Sequence, residues 1–343
     1  MNSGRLALGP SPLSPDPTKG SARRPLDFGM NRISFHEFEA YTESVRDADM
    51  RCMLPRLELP IWSMQNLSIE KMHLQFASEG CGNIAEGATR PDGCILFVPL
   101  SGTPGRGNGT LMYQDAPLLL GPKTEFRICF EHAHDWFSLF MPEELLNPNR
   151  SCERDAPSSL PKSGRVIRPC AALLGRLRCI VGRLMLAAEV EPAIFTEPTT
   201  SVEIRNELSS VFRQIIGITS DPETPSMGRP AIVREHVIRT ALARISDLEA
   251  MPTVEDLVIA TNVSERTLRS VFCEVFGMPP LRYLRLRRLH QTRKSLSKVS
   301  SAETTVAAIA AKHGFWDFGR FARDYRNVFG ELPSQTLRKP SAS

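Results

Sequence analysis

No apolar run in this 343-residue chain approaches the roughly 18 residues that a membrane-spanning helix needs, so transmembrane sensing is not expected. The eight cysteines (Cys52, Cys81, Cys94, Cys129, Cys152, Cys170, Cys179 and Cys273) form no CxxC pair and no zinc-finger spacing. The N-terminal stretch also lacks the apolar core of a secretory leader, so free thiols and a reducing cytoplasm are the expectation. Catalytic signatures are missing too: there is no GxSxG, no phosphate-binding glycine loop, no HExxH and no carboxylate pair in an informative setting. Neither an enzyme nor a cofactor is indicated.

What is present suits two domains and tails: 41% hydrophobic and 23% charged residues, ordinary for a globular protein. The net charge of +4 hides an asymmetry. Residues 229–343 hold 19 Lys/Arg against 11 Asp/Glu, and residues 1–228 hold 23 against 27. Only the C-terminal part is basic, which points to a polyanion partner for that part alone.

Two stretches in the basic part share one plan. In residues 305–329, Ala308, Ile309 and Ala311 predict a short helix capped by Thr304 or Thr305 and stopped at Gly314. Phe315 is a core residue at the turn. Asp317 can cap a second helix with Phe321, Tyr325 and Phe329 at i, i+4, i+8 and Val328 beside them. The opposite face carries Arg320, Arg323 and Arg326, suited to phosphates and guanine edges. The alanines at 308, 310 and 311 let the two helices approach closely. In residues 253–276, Thr253 caps a helix bearing Leu257 and Ala260, and a turn passes through Asn262 and Val263. Ser264 then caps a helix whose inner stripe is Leu268, Phe272 and Phe276, with Glu265, Arg266, Arg269 and Ser270 outside. Two helix-turn-helix units follow from this pattern.

Between them, residues 279–298 open on Pro279 and Pro280 and run to Leu296 with no internal Gly or Pro, which predicts a linking helix. It carries Arg282, Arg285, Arg287, Arg288, Arg293, Lys294 and Lys298 and no acid, a one-sign run suited to phosphate contact. A helix of this length is close to one turn of B-DNA, so the two units can enter successive major grooves.

These residues resemble the AraC/XylS family of transcriptional regulators over about residues 230–338. The resemblance rests on Ser264, Leu268, Phe272, Gly277, Pro280, Tyr283, Arg288, Leu289 and Leu296, then on Ile309, Ala310, Gly314, Phe315, Phe321, Phe329, Gly330 and Pro333. The wording GFWDFGRFARDYRNVFGELPSQTL is locally similar to the branch containing the ethanolamine-utilisation regulator. The resemblance implies base contacts from Arg266, Arg269, Ser270, Phe318, Gly319, Arg320 and Arg323. Phe318 and Gly319 stand where polar readers are commoner, which implies apolar contact with thymine methyls or a phosphate grip there. Phosphate contacts are expected from Arg282, Arg285, Arg288, Arg293, Lys294 and Arg326. Thr292 replaces the family's usual Ala and reads as a packing variation. Double-stranded promoter DNA, RNA polymerase and a small-molecule effector are the implied partners, and activation the implied outcome.

Residues 1–30, rich in Pro, Ser and Gly, are expected to be a disordered tail. From 31 to 166 the chain is β-rich. A short helix is predicted over 33–45 from Phe35, Phe38 and Tyr41, then strands at 57–67, 69–77, 94–100, 110–114, 125–130 and 135–141, with LLLGPKTEF (118–126) as a strand and Gly-Pro turn. Short strands so spaced favour a small barrel or sandwich. The resemblance implies a cupin-like sensor barrel, making the chain α+β. The HxH pair of His132 and His134 beside Glu131 is the one candidate metal cluster, but Phe126 stands where cupin enzymes have Gly, so no metal is assigned. Trp62, Met64, Phe97 and Phe140 are core residues among which an effector pocket is to be sought. Residues 167–219 form an amphipathic helical pair, with core packing or dimerisation as its alternatives. Residues 220–230 are a Pro/Ser/Gly linker, and 231–340 the DNA-binding domain.

The rival reading is an enzyme, either a metal-dependent cupin or a DNA-repair alkyl acceptor, that carries this DNA-binding module. Repair chemistry needs an activated Cys motif such as PCHR or a zinc cluster of cysteines, and neither occurs.

Overall fold

The computed structural model describes residues 32–100, 104–146, 160–218, 231–246, 251–299 and 304–339; the predicted tail and the 220–230 linker lie outside them. The strands are β1 (Ile33–Phe35), β2 (Ala48–Met53), β3 (Trp62–Ile69), β4 (Met72–Glu79), β5 (Asn83–Thr89), β6 (Gly93–Pro99), β7 (Gly105–Gly107), β8 (Thr110–Met112), β9 (Leu118–Leu120), β10 (Glu125–Phe130), β11 (His134–Pro142) and β12 (Arg165–Val166). The helices are α1 (Phe38–Ser44), α2 (Glu143–Leu146), α3 (Ala171–Val190), α4 (Pro198–Ile218), α5 (Ala231–Ser246), α6 (Val254–Thr261), α7 (Glu265–Phe276), α8 (Pro280–Leu296), α9 (Val306–Lys312), α10 (Phe318–Phe329) and α11 (Pro333–Arg338).

The fold is mixed, with β structure before helices, but the expected closed barrel is not formed. The strands make two open antiparallel sheets, ordered β1-β3-β4-β11-β6-β9-β12 and β2-β5-β10-β7-β8. No strand pairing joins one sheet to the other among the described residues, so the pair is a sandwich with free edges. The helix expected over 33–45 is also shorter. Ile33, Ser34 and Phe35 pair with Met64, Ser63 and Trp62 as an edge strand, and helix begins only at Phe38. The open ladder of β3 satisfies the backbone of the β-branched Ile33 better than an isolated first turn does. Phe35 still meets the Tyr41 ring, 5.9 Å away.

The seven-stranded sheet is apolar on both faces. On β11, Phe137, Leu139 and Met141 pack with Leu96 and Val98 of β6 against α3 and α4. Leu177 of α3 and Leu208, Val211, Phe212 and Ile215 of α4 are all fully buried in that layer. Most of both predicted amphipathic stripes is therefore buried within the chain, with Val202 of α4 left exposed. Trp136 and Phe140 of β11 turn the other way, toward the five-stranded sheet. Between the sheets lies a partly open cavity. Of the four residues proposed for a pocket, Phe97 lines it; Trp62, Met64 and Phe140 do not.

The outer face of the five-stranded sheet carries the helical C-terminal region. Cys52, Ala85 and Ile128 stand in register across β2, β5 and β10, and all three face the cavity. One residue along, Arg51, Glu86 and Arg127 form the row on the opposite face. Glu86 accepts a hydrogen bond from the Tyr283 hydroxyl of α8, and Arg127 donates to both oxygens of Glu235 on α5 at 3.1 Å. Arg106 donates to the Glu274 carbonyl of α7, and the Leu57 N–H to the Asn327 carbonyl of α10. One layer of strands thus separates the cavity from the helices of the C-terminal region.

Candidate nucleic-acid interface

The two helix-turn-helix units fold as their patterns require. Thr253 and Asp256 form a reciprocal capping box: the Thr253 hydroxyl accepts from the Asp256 N–H at 3.2 Å, and Asp256 Oδ2 accepts from the Thr253 N–H at 2.7 Å. Ser264 Oγ accepts from the Thr267 N–H at 3.2 Å and starts α7. Of the two threonines expected to start α9, Thr305 does so, accepting from the Ala308 N–H at 3.2 Å. Asp317 Oδ1 accepts from the Arg320 N–H at 2.9 Å and starts α10. The turn before α10 passes through Gly314 at φ +75°, a conformation that other residues adopt at a cost. Asp317→Ala is expected to cost about 1 kcal/mol, read as a lowered urea midpoint, whereas Asp317→Ser retains most of the stability. An Ala variant as stable as the parent would show that the cap does not hold α10.

Beneath each second helix the apolar stripe is buried. Leu268, Phe272 and Phe276 pack with Tyr283 of α8, the rings of Phe272 and Phe276 lying 5.6 and 4.6 Å from that of Tyr283. In the second unit Phe315, Phe321, Tyr325 and Phe329 form a continuous chain of ring contacts at 4.6 to 5.6 Å. Ala310 is fully buried at the close approach of α9, while Ala308 is exposed.

All seven base-contact candidates, Arg266, Arg269, Ser270, Phe318, Gly319, Arg320 and Arg323, are exposed on α7 and α10. Trp316, 77% exposed just before the Asp317 cap, is a further surface residue of the second unit that the sequence pattern did not single out. Its signal was an aromatic residue at a turn where only Phe315 is needed for the core.

The basic run on α8 divides by environment. Arg282, Lys294 and Lys298 are exposed, and so is Arg326 of α10. Arg285 is bound to Asp324 of α10 at 2.5 Å, and Arg293 to Glu39 and Glu331 at 2.8 Å each. Arg288 is half-buried near the Phe315 ring, and burial lowers its pKa. Arg287 is only 4% exposed. Much of a run that looks like a solvated basic face therefore joins α8 to its neighbours. Thr292 is fully buried and donates to the Arg288 carbonyl at 2.7 Å, a packing role.

The HxH pair does not converge. His132 is exposed and pairs with Glu58 at 2.8 Å, whereas His134 is buried, stacked on Phe130 at 3.7 Å. Among the described residues no helix is long and apolar enough to cross a membrane.

Against known proteins, the profile of a helix-turn-helix domain family matches residues 257–339, which run from within α6 to the end of α11. The XylDLEGF operon transcriptional activator of Pseudomonas putida is 29% identical over 238 residues, covering 68% of this chain and 71% of that protein. The probable thc operon regulatory protein of Rhodococcus erythropolis is 34% identical over 103 residues, 30% of this chain and 31% of that one. A solved structure of a probable AraC family transcriptional regulator from Rhodopseudomonas palustris is 35% identical, covering 29% of this chain and 94% of that one, with a TM-score of 0.28. Paired capped helix-turn-helix units on a linking helix, similar in sequence to these regulators, make this chain a DNA-binding transcriptional regulator with an AraC-type helix-turn-helix domain at its C-terminus.

Proposed function

We propose that the chain activates transcription at a promoter in response to a small effector. Arg266, Arg269 and Ser270 of α7 and Arg320 and Arg323 of α10 read base edges, with Phe318 and Gly319 against thymine methyls. The observation that carries this reading is their common placement: each stands exposed on the second helix of a unit whose opposite face is buried. Arg282, Lys294 and Arg326 are free to contact phosphates as they stand. Arg285 and Arg293 reach phosphate only by exchanging Asp324, Glu39 or Glu331 for it, and Arg288 only by leaving the Phe315 ring. RNA polymerase is the partner an activator needs. A second copy of the chain would use the exposed Leu186 and Val190 of α3 and Val202 of α4, since the rest of that layer is buried.

The effector site we propose is the cavity between the sheets. Its support is the register already described, in which a shift at Cys52, Ala85 or Ile128 moves the row that holds Tyr283 and Glu235 on the far side. A ligand preferring one arrangement of that sheet shifts the population of DNA-binding geometries.

The test is fluorescence anisotropy on fragments from upstream of the chain's own and neighbouring genes, beside a scrambled fragment. One fragment is expected to win by a large factor, and Arg266→Ala to lose about 1–3 kcal/mol on it and much less on the scrambled one. Equal losses on both would remove Arg266 from base reading.

A further inference from the structure

The polar end of the intersheet cavity consists of hydrogen-bond acceptors. Glu79 is 2% exposed and, among the described residues, has no Lys or Arg within ion-pair distance. Its Oε1 accepts from the Tyr41 hydroxyl and from Trp136 Nε1, each at 2.8 Å. Its Oε2 accepts from Asn83 Nδ2 at 2.6 Å, which leaves that oxygen a further lone pair. The same bond orients the Asn83 amide, because the carboxylate accepts and the amide nitrogen must be the donor. Asn83 Oδ1 is then an acceptor, and it is buried without a partner. His134, 3% exposed, donates from Nδ1 to the His132 carbonyl at 3.1 Å. Burial lowers the pKa of this ring against the opposing pull of Glu79 and of the His132 and Cys81 backbone, and in the neutral ring, with Nδ1 donating, Nε2 is an acceptor. Nε2 lies 3.5 Å from Glu79 Oε1 and has no hydrogen-bond partner.

Glu79, Asn83 and His134 all line the cavity, and the remaining lining is mainly apolar, with Met50, Cys52, Ile95, Phe97, Phe126 and Ile128. The other amide there, Gln75, is already bonded to the Arg46 N–H and carbonyl, and its Nε2 also donates to Ser138 Oγ at 3.4 Å. The lining has one arginine, Arg46, and it is exposed.

We infer that the cavity takes a small, largely apolar alcohol or amine, whose O–H or N–H groups are directed at Glu79, Asn83 and His134, and that it rejects carboxylates. This rests on the reading of the cavity as the effector site. A donor supplies what the unpaired acceptors lack. A carboxylate would add lone pairs to lone pairs and a second negative charge beside Glu79 in a poorly solvated space.

Three probes share one ring and differ at one group: benzyl alcohol, benzylamine and benzoate. Calorimetric titration of the full-length protein is expected to show the alcohol and the amine binding at least ten-fold more tightly than benzoate. In Glu79→Gln, which keeps shape and removes the charge, the amine is expected to lose at least ten-fold and the alcohol less. Ala85→Phe, which fills the cavity from β5, is expected to abolish binding of both, and it serves as the second variant where Glu79→Gln fails to fold by circular dichroism. Benzoate binding as tightly as benzyl alcohol overturns the donor argument and leaves the cavity as a ligand site. Absence of heat with all three, on protein that still selects its promoter fragment, overturns the cavity assignment and leaves DNA reading intact. Amine binding unchanged in both variants places the ligand elsewhere and also overturns the inference.

Discussion

Phe272→Ala is expected to lower the stability of the C-terminal domain by about 3–5 kcal/mol, read as a drop in the urea midpoint at unchanged slope. Phe272 is fully buried at the centre of the first helix-turn-helix unit, in ring contact with Phe276 at 5.5 Å and Tyr283 at 5.6 Å. Its removal withdraws apolar area and leaves a hole whose walls cannot easily collapse. Tyr283 is fixed from its far end by its bond to Glu86 of the five-stranded sheet, and Leu268 is held within α7, whose first turn is capped by Ser264. The effect reaches further than α7. Tyr283 belongs to the α8 surface that meets the five-stranded sheet, so a loosened Phe272 pocket also loosens the contact between the regions. A loss below about 1 kcal/mol would mean that the pocket is not close-packed, and the account of this unit would have to change.

Acidification is expected to destabilise the folded chain between about pH 6.5 and pH 4, by on the order of 2–3 kcal/mol in total. The group responsible is His290 on α8. It meets the Leu54 carbonyl at 3.1 Å and lies edge-on to the Phe329 ring at 4.9 Å. Burial brings its pKa down to about 4, with Arg293 adding to the depression and Glu39 and the Leu54 carbonyl opposing it. A depressed histidine pKa means that the folded chain holds the neutral ring while the unfolded chain takes up a proton near pH 6.5. The unfolded state therefore binds more protons throughout that interval, and stability falls as pH falls; above pH 7 the contribution is complete. His134, whose pKa burial also lowers, acts in the same direction. His290→Gln keeps a donor for the Leu54 carbonyl and removes the titration, so its stability should vary less with pH across this window. A variant with the same pH dependence as the parent would assign the acid sensitivity to other groups. Because Leu54 follows β2 and His290 sits on α8, the contact under strain in acid is the one between the five-stranded sheet and the C-terminal helices.

How much of this was legible in the sequence differs between the two halves for a physical reason. In residues 253–338 the determinants are local. A capping Thr, Ser or Asp, an apolar stripe at i and i+4 and a glycine turn lie within a dozen residues of one another, so both units, their caps and their outward arginines could be placed from the chain itself. The resemblance to AraC/XylS regulators rests on those same positions. In residues 31–166 the determinants are not local. β2 (ADMRCM) and β5 (NIAEGAT) carry Asp, Arg, Asn, Glu and Gly and do not read as strands, because their partners lie elsewhere in the chain: β2 pairs with β5, β5 with β10, and Glu86 is covered by α8. Only after folding does Glu86 find Tyr283, 197 residues away, and Arg127 find Glu235. The helix expected at 33–45 starts only at Phe38 for a similar reason, since the edge of β3 offered Ile33–Phe35 a ladder that no local pattern reveals. Which arginines of α8 stay in solvent was also a tertiary decision. Charge on that helix is a property of the sequence, but the carboxylates of Asp324, Glu39 and Glu331 reach it from α10, α1 and the loop before α11. The sequence by itself determined that this chain carries two capped helix-turn-helix units with arginines on their outer faces. The packing of two sheets determined where the cavity proposed for an effector opens, which acceptors line it, and that a single layer of strands separates it from the C-terminal helices.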